Sequence, residues 1–214
     1  MPGSPQLQKI WVLLEQKEYQ QALEDLQAML DRLQGAELRE AHQLMGTLCY
    51  RQQQYSPASS WFRKACQGSD QASDWLNLAI SATMQGDLEL GAEAFEQVRI
   101  CQKAAKYSQQ PGFYLQLYWY ACALCERGEY AGLQLLLDEL AHVYRRMHRT
   151  DTTSLYIQRL PFFSNVLSLA TRCFREQKKY SEGITWLQTL AEALDDEGRQ
   201  QVEQAMRELQ AGNA

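Results

Sequence analysis

Between Trp75 and Val98 the chain runs W-L-N-L-A-I-S-A-T-M-Q-G-D-L-E-L-G-A-E-A-F-E-Q-V, with apolar residues at helical spacing on either side of one Gly-Asp pair. Trp75, Leu78 and Ala79 fall on one face of a first helix. Leu88, Gly91, Phe95 and Val98 fall on one face of a second, and Gly86-Asp87 makes the turn between them. The rest of the chain repeats this unit with variations. Proline is scarce, at 5 of 214 residues. Runs of Val, Ile and Thr bounded by turn residues are absent, so helix is expected almost throughout.

The first pair places Leu7, Ile10, Leu13 and Leu14 before a Lys17-Glu18 turn, then Tyr19, Ala22, Leu26 and Met29 after it. The next has Leu44, Met45, Gly46 and Cys49, then Tyr55, Ala58, Phe62 and Ala65, with Ser56-Pro57 suited to the opening turn of the second helix. After the Trp75 pair, Lys103 prolongs the helix and Ser108 to Gly112 reads as a break. A fourth pair follows with Leu117, Tyr120, Ala121 and Leu124, then Arg127-Gly128-Glu129, then Tyr130, Leu133, Leu137 and Leu140 on a helix reaching about Arg149. The fifth has Leu167, Ala170, Thr171 and Phe174, then Tyr180, Gly183, Leu187 and Leu190. Asp151 suits an N-cap ahead of it, and Pro161 would kink or restart its first helix. The expected layout is a loose leader over 1–6, a helical repeat domain over 7–194, and a capping helix and tail over 195–214.

These pairs resemble the tetratricopeptide repeat (TPR) family, whose pattern is W-x2-L-G-x2-Y followed by A-x3-F. Tyr19, Tyr55, Leu88, Tyr130 and Tyr180 stand at the aromatic position after the turn, and Gly46 and Ala58 at the family's smallest positions. Leu133 departs from the small residue expected there, and no repeat ends in the family's frequent proline. The resemblance implies an all-α fold, an α-α superhelix of about five helix pairs plus a C-terminal capping helix. It implies a non-enzymatic adaptor or chaperone that holds a peptide or helix of another protein. It places the first helix of each pair on a concave face, with Leu7, Trp11 and Leu14 facing inward in the first repeat. In the second these are Gln43, Thr47, Tyr50 and Arg51; in the third, Leu76, Ile80, Thr83 and Met84; in the fourth, Leu115, Tyr118, Cys122, Cys125 and Glu126. In the fifth, Asn165, Ser168, Arg172, Arg175 and Glu176 face the groove.

The groove so described is apolar and aromatic in its middle and basic at its carboxy-terminal end. The peptide-binding residues expected from it are Trp11, Tyr50, Leu76, Ile80, Met84, Tyr118, Cys122, Arg172 and Arg175. Their ligand would carry apolar anchors and an acidic flank. The subclass that clamps acidic carboxyl tails uses Lys and Asn at fixed groove positions. Here Leu7 and Gln43 stand for the Lys, and Trp11 and Thr47 for the Asn, so that partner class is rejected. The apolar groove is similar in character to TPR chaperones that hold translocator proteins before type III secretion. Two other uses of the same surfaces are a self-associating scaffold, which would form homo-oligomers, and a peptide-sensing regulator.

Other chemistry is thinly represented. A formal net charge of −5 argues against a general nucleic-acid binder. Cys122-Ala-Leu-Cys125 lacks the second pair a structural zinc needs and falls mid-helix, away from the helix start that activates redox thiols. His42, His142 and His148 lie on separate helices, and no Walker, G-x-S-x-G, H-E-x-x-H or dinucleotide motif occurs. No metal or cofactor is expected. Arg145-Arg146-Met147-His148-Arg149 reads as a helix C-terminus with cations placed against the dipole, the alternative being a contact for an acidic protein partner or RNA. Met1 to Gln8 has no basic stretch leading into a long apolar one, no membrane insertion is expected, and the cysteines read as reduced buried thiols, which together give a cytoplasmic expectation. Circular dichroism should therefore report a helical protein whose melting is unchanged by a chelator; a chelator-induced loss of helix would overturn the metal-free reading.

Overall fold

The computed structural model describes residues 4–104 and 112–212. The first half of the leader, 1–3, and Ser108 to Pro111 of the expected break lie outside them. Among the described residues every regular element is α-helix. The chain divides into two compact units, Met1–Tyr107 and Ser108–Ala214. The division falls at the polar stretch that interrupts the repeat register.

The first unit holds α1 (Pro5–Glu15), α2 (Tyr19–Leu30), α3 (Gly35–Arg51), α4 (Tyr55–Ala65), α5 (Ala72–Gln85) and α6 (Leu88–Ala104). Helix begins at Pro5, inside the expected leader, because proline at a first helical position gives up no intrahelical bond. Each helix packs on the next, and α1 also packs on α3. Leu7, Ile10, Leu14, Ala22, Leu26, Leu44 and Leu48 close one continuous core over α1, α2 and α3. Each such leucine is worth about 1.5–3 kcal/mol of burial.

The second unit holds α7 (Phe113–Arg127), α8 (Tyr130–Met147), α9 (Thr152–Ile157), α10 (Phe163–Glu176), α11 (Tyr180–Ala191) and α12 (Asp196–Ala211). Its hub is α10, which packs against α7, α8, α11 and α12. Phe163, Val166, Leu167, Ala170 and Phe174 supply the buried stripe. The last helix is docked by its own cap. Asp195 accepts from Gly198 N–H at 2.9 Å, and also from Thr150 N–H at 3.0 Å and Thr150 Oγ1 at 2.7 Å, so one carboxylate ties the end of α8 to the start of α12. The second helix of the fourth pair ends at Met147, two residues short of the expectation, with His148 in the left-handed region closing it.

One turn recurs inside every pair. Lys17, Gln53, Gly86, Gly128 and Lys178 have positive φ, between 58° and 97°. In each, the next residue's N–H bonds a carbonyl five residues back: Glu18 to Leu13, Gln54 to Cys49, Asp87 to Ala82, Glu129 to Leu124 and Lys179 to Phe174, at 2.9–3.0 Å. This is the Schellman closure, which satisfies carbonyls a helix end would leave open. The following helix then starts two residues after the left-handed one, at Tyr19, Tyr55, Leu88, Tyr130 and Tyr180.

The crossing of α3 and α4 is close because Gly46 has no side chain. A Cβ there would lie 2.6 Å from Cδ1 and Cε1 of the Phe62 ring, itself buried. Leu133, at the position that Ala58 holds in the second pair, is fully buried, so the larger residue is taken into the core.

The first helices α1, α3 and α5 are also joined by polar bonds. Arg51 donates to the Leu14 carbonyl at 2.7 Å and to Glu15 Oε1 at 2.6 Å. Asp74 on α5 is buried, accepts from Gln43 of α3 and from Ser69 Oγ at 2.5 Å, and lies 3.9 Å from Arg39 Nε. Burial pushes its carboxyl above the usual 3.8, against the lowering effect of Ser69, Arg39 and Gln43.

Two expectations follow. Gly46→Ala should lower stability in urea melts, because overpacking at about 1–3 kcal/mol outweighs about 1 kcal/mol of gained helix propensity. Gln53→Gly, in the same pair, should raise it by up to about 1 kcal/mol by relieving the left-handed backbone. The second concerns pH. A carboxyl whose pKa is raised by folding contributes stability that is complete below its unfolded value and is lost as pH rises through the folded one. Asp74→Asn removes that contribution, so the difference between variant and wild type should shift in the variant's favour as pH rises from 3.8. Urea melts at a series of pH values check this, and a shift in the opposite direction would mean that the carboxylate is held in its charged form.

Candidate functional site

An aromatic recess in the second unit arises from the segment between α8 and α10. Leu115, Tyr118 and Trp119 share one face of α7, three and four residues apart. Facing them is α9, started by Asp151, whose carboxylate accepts from Ser154 N–H at 2.9 Å. This short helix ends in another Schellman closure, with Arg159 at φ 54° and Leu160 N–H bonded to the Leu155 carbonyl at 2.9 Å. Gly112 lets the start of α7 approach this turn, since a Cβ there would meet the Arg159 carbonyl at 2.7 Å.

Tyr144 holds the next step. It is fully buried on α8, its hydroxyl donates to the Pro161 carbonyl at 2.5 Å, and its ring centroid lies 4.9 Å from that of Phe163. With Leu155, Leu160 and Phe163 turned into the core, the residues beside them turn out. Tyr156 is 79% exposed, Phe162 47% and Trp119 39%. Together with Leu115, Tyr118, Pro161 and Asn165 these three border a pocket of about 560 Å³. Arg159 is the one charged side chain among its lining.

The expected binding residues fall in both units. Tyr118 borders the aromatic pocket and is hydrogen-bonded to Cys122 one turn on. Burial raises the pKa of Cys122 and of Cys125, so both thiols stay protonated, as a redox pair would not. Arg172 is brought against this same face of α7 but is not free for a ligand, because its Nη1 lies 2.6 Å from Glu126 Oε1. Arg175, the other arginine of the expected basic end, is exposed on α10.

In the first unit Trp11 is partly open to solvent and Ile80 and Met84 are half-buried. Tyr50 is half-buried too, packed edge-on against Tyr55 with centroids 5.4 Å apart. Leu76 is a correction: at 4% exposure it belongs to the core, as do Leu7 and Leu14. A helical stripe identifies which residues lie near one another. It leaves open whether the next position around the helix meets solvent or a third helix, and here α2 and α3 cover α1. Gln43 is spent on Asp74, while Thr47 Oγ1 donates to the Gln43 carbonyl at 2.8 Å.

Trp119, Tyr156, Arg159 and Phe162 were not singled out from the sequence. The available signal was the spacing from Tyr130 to Tyr180, longer than between the earlier turn positions, which marks an inserted segment. Among the described residues no group of three or more His, Cys, Asp or Glu is placed to hold a metal ion, and no helix is long and apolar enough to cross a membrane. No protein-family model matches this chain, and no curated protein or solved structure matches it.

Proposed function

We propose that this chain is a TPR-like protein-interaction module, an adaptor or chaperone, which seats an apolar, acid-flanked segment of a partner protein in the aromatic pocket of the second unit. The observation that carries this reading is the set of three large side chains, Trp119, Tyr156 and Phe162, held open to solvent around one recess. Clustered exposed aromatics are costly to leave uncovered and are the usual anchors of protein interfaces. For the acidic flank, of the two arginines expected to meet it, Arg172 and Arg175, the exposed Arg175 of α10 is the positive partner. Support for the TPR likeness comes from the single turn repeated in five helix pairs. The free state of all six cysteines accords with a reducing, cytoplasmic setting.

The test is capture of partners by wild type and by Tyr156→Ala and Phe162→Ala, identified by mass spectrometry, followed by titration of the captured segment. Each aromatic truncation should cost on the order of 2 kcal/mol of binding. Arg175→Ala should cost less, and its loss should shrink at high salt. Equal capture and affinity in all variants would remove the site from this pocket. A size that grows with concentration, and collapses in Tyr156→Ala, would identify the occupant as a second copy and the function as a scaffold.

A further inference from the structure

The polar groups that border the aromatic recess of the second unit share one electrostatic sign. Trp119 carries an indole N–H and Arg159 a guanidinium, both of which donate hydrogen bonds and never accept them. Tyr156 and Asn165, both exposed, bring a hydroxyl and an amide that can donate as well. Among the described residues of the lining there is no carboxylate. The Pro161 carbonyl, an acceptor in this segment, is taken from the core side by the Tyr144 hydroxyl at 2.5 Å. The Tyr118 hydroxyl is spent on Cys122, which leaves its ring as wall. The recess therefore combines aromatic surface with donors and a positive charge.

Which peptide segment suits such a wall follows from where it keeps its carbonyl oxygens. An α-helix bonds its carbonyls internally, so its backbone answers none of these donors. An extended strand offers N–H groups as often as carbonyls and adds to a sheet edge, whereas every regular element among the described residues is helix. A polyproline II segment has no internal hydrogen bonds, and each proline keeps its carbonyl while lacking an N–H. Its surface is apolar rings and bare acceptors, the charge complement of this lining. It is also stiff before it binds, so it has little conformational entropy left to lose, and aromatic-lined grooves are its usual seat. We infer that the aromatic recess binds a proline-rich segment of the partner in the polyproline II conformation. Trp119 and Tyr156 donate to its carbonyls, and Phe162 packs against its rings. This rests on the docking function proposed for the recess and narrows the partner segment to one chemical class.

The probe is acetylated decaproline, titrated into the full chain and followed in amide-correlation NMR spectra. The Trp119 indole N–H signal is identified by its loss in Trp119→Phe, and a saturable shift of that signal is expected. Trp119→Phe keeps an aromatic ring and removes the donor, so affinity for decaproline should fall by up to about tenfold, the range of one hydrogen bond. Trp119 is 39% exposed, so the variant should keep its fold by circular dichroism. Phe162→Ala should weaken binding at least as much. Replacing every second proline of the probe by alanine restores N–H groups and flexibility, and should weaken it about tenfold. A leucine-rich amphipathic helical peptide is the comparison. Saturable binding of the helical peptide that is lost in Phe162→Ala, with no response to decaproline, would overturn the polyproline assignment and leave the docking function standing. Equal affinity for the alanine-interrupted probe, or equal affinity in Trp119→Phe, would overturn the assignment too, since neither conformation nor donor would then be read. If neither peptide binds, the assignment falls, and partner capture with Tyr156→Ala decides the docking function separately.

Discussion

The hydrogen bond from the Tyr144 hydroxyl to the Pro161 carbonyl organises the part of this molecule that faces outward. Both groups are buried, and either one left alone would cost about 1–3 kcal/mol. Joined, they fix the chain between α9 and α10 against the core helix α8. That settles which side of the turn each residue occupies, so Leu160 and Phe163 point in and Phe162 between them points out. The aromatic pocket is a consequence of this buried bond more than of any feature of its own rim.

The repeated Schellman turn has a similar economy. Its bonds run between backbone groups only, so the side chain at the left-handed position is nearly irrelevant to the geometry and matters mainly for strain. Glycine occupies that position at Gly86 and Gly128, while Lys17, Gln53 and Lys178 adopt the same conformation with a side chain. A register of packed residues on both flanks over-determines the turn and tolerates the local cost. This is why helix pairs with little sequence in common close in the same way.

Polar residues on the first helices of the pairs are largely turned to internal use. Arg51 bonds the end of α1, Gln43 reaches Asp74, and Arg172 meets Glu126. An exposed pair such as the last is worth little, about 0–1 kcal/mol. The buried Asp74 cluster is different, since breaking one partner would strand a desolvated carboxylate. Its value to the first unit lies in fixing α5 against α3 in one register.

The helix pairs, their turn positions and their buried stripes were legible in the sequence, because a 3.6-residue period and a Gly-Asp or Lys-Glu turn are local properties. The N-cap at Asp151, the restart at Pro161 and the last helix, expected within 195–214 and found at Asp196–Ala211, were legible for the same reason: each depends on a few neighbouring residues. Which faces of these helices stay open to solvent was not. Leu76 and Trp119 both sit at helix positions of similar character, and only the packing of other helices decides that one is covered and the other open. Arg172 looked like a free cation until α7 placed Glu126 beside it. Tyr156 and Phe162 looked like an irregular insertion until Tyr144, from a different helix, set the turn that exposes them. Local periodicity determined the elements, and contacts between residues far apart in the chain decided which faces of those elements meet solvent.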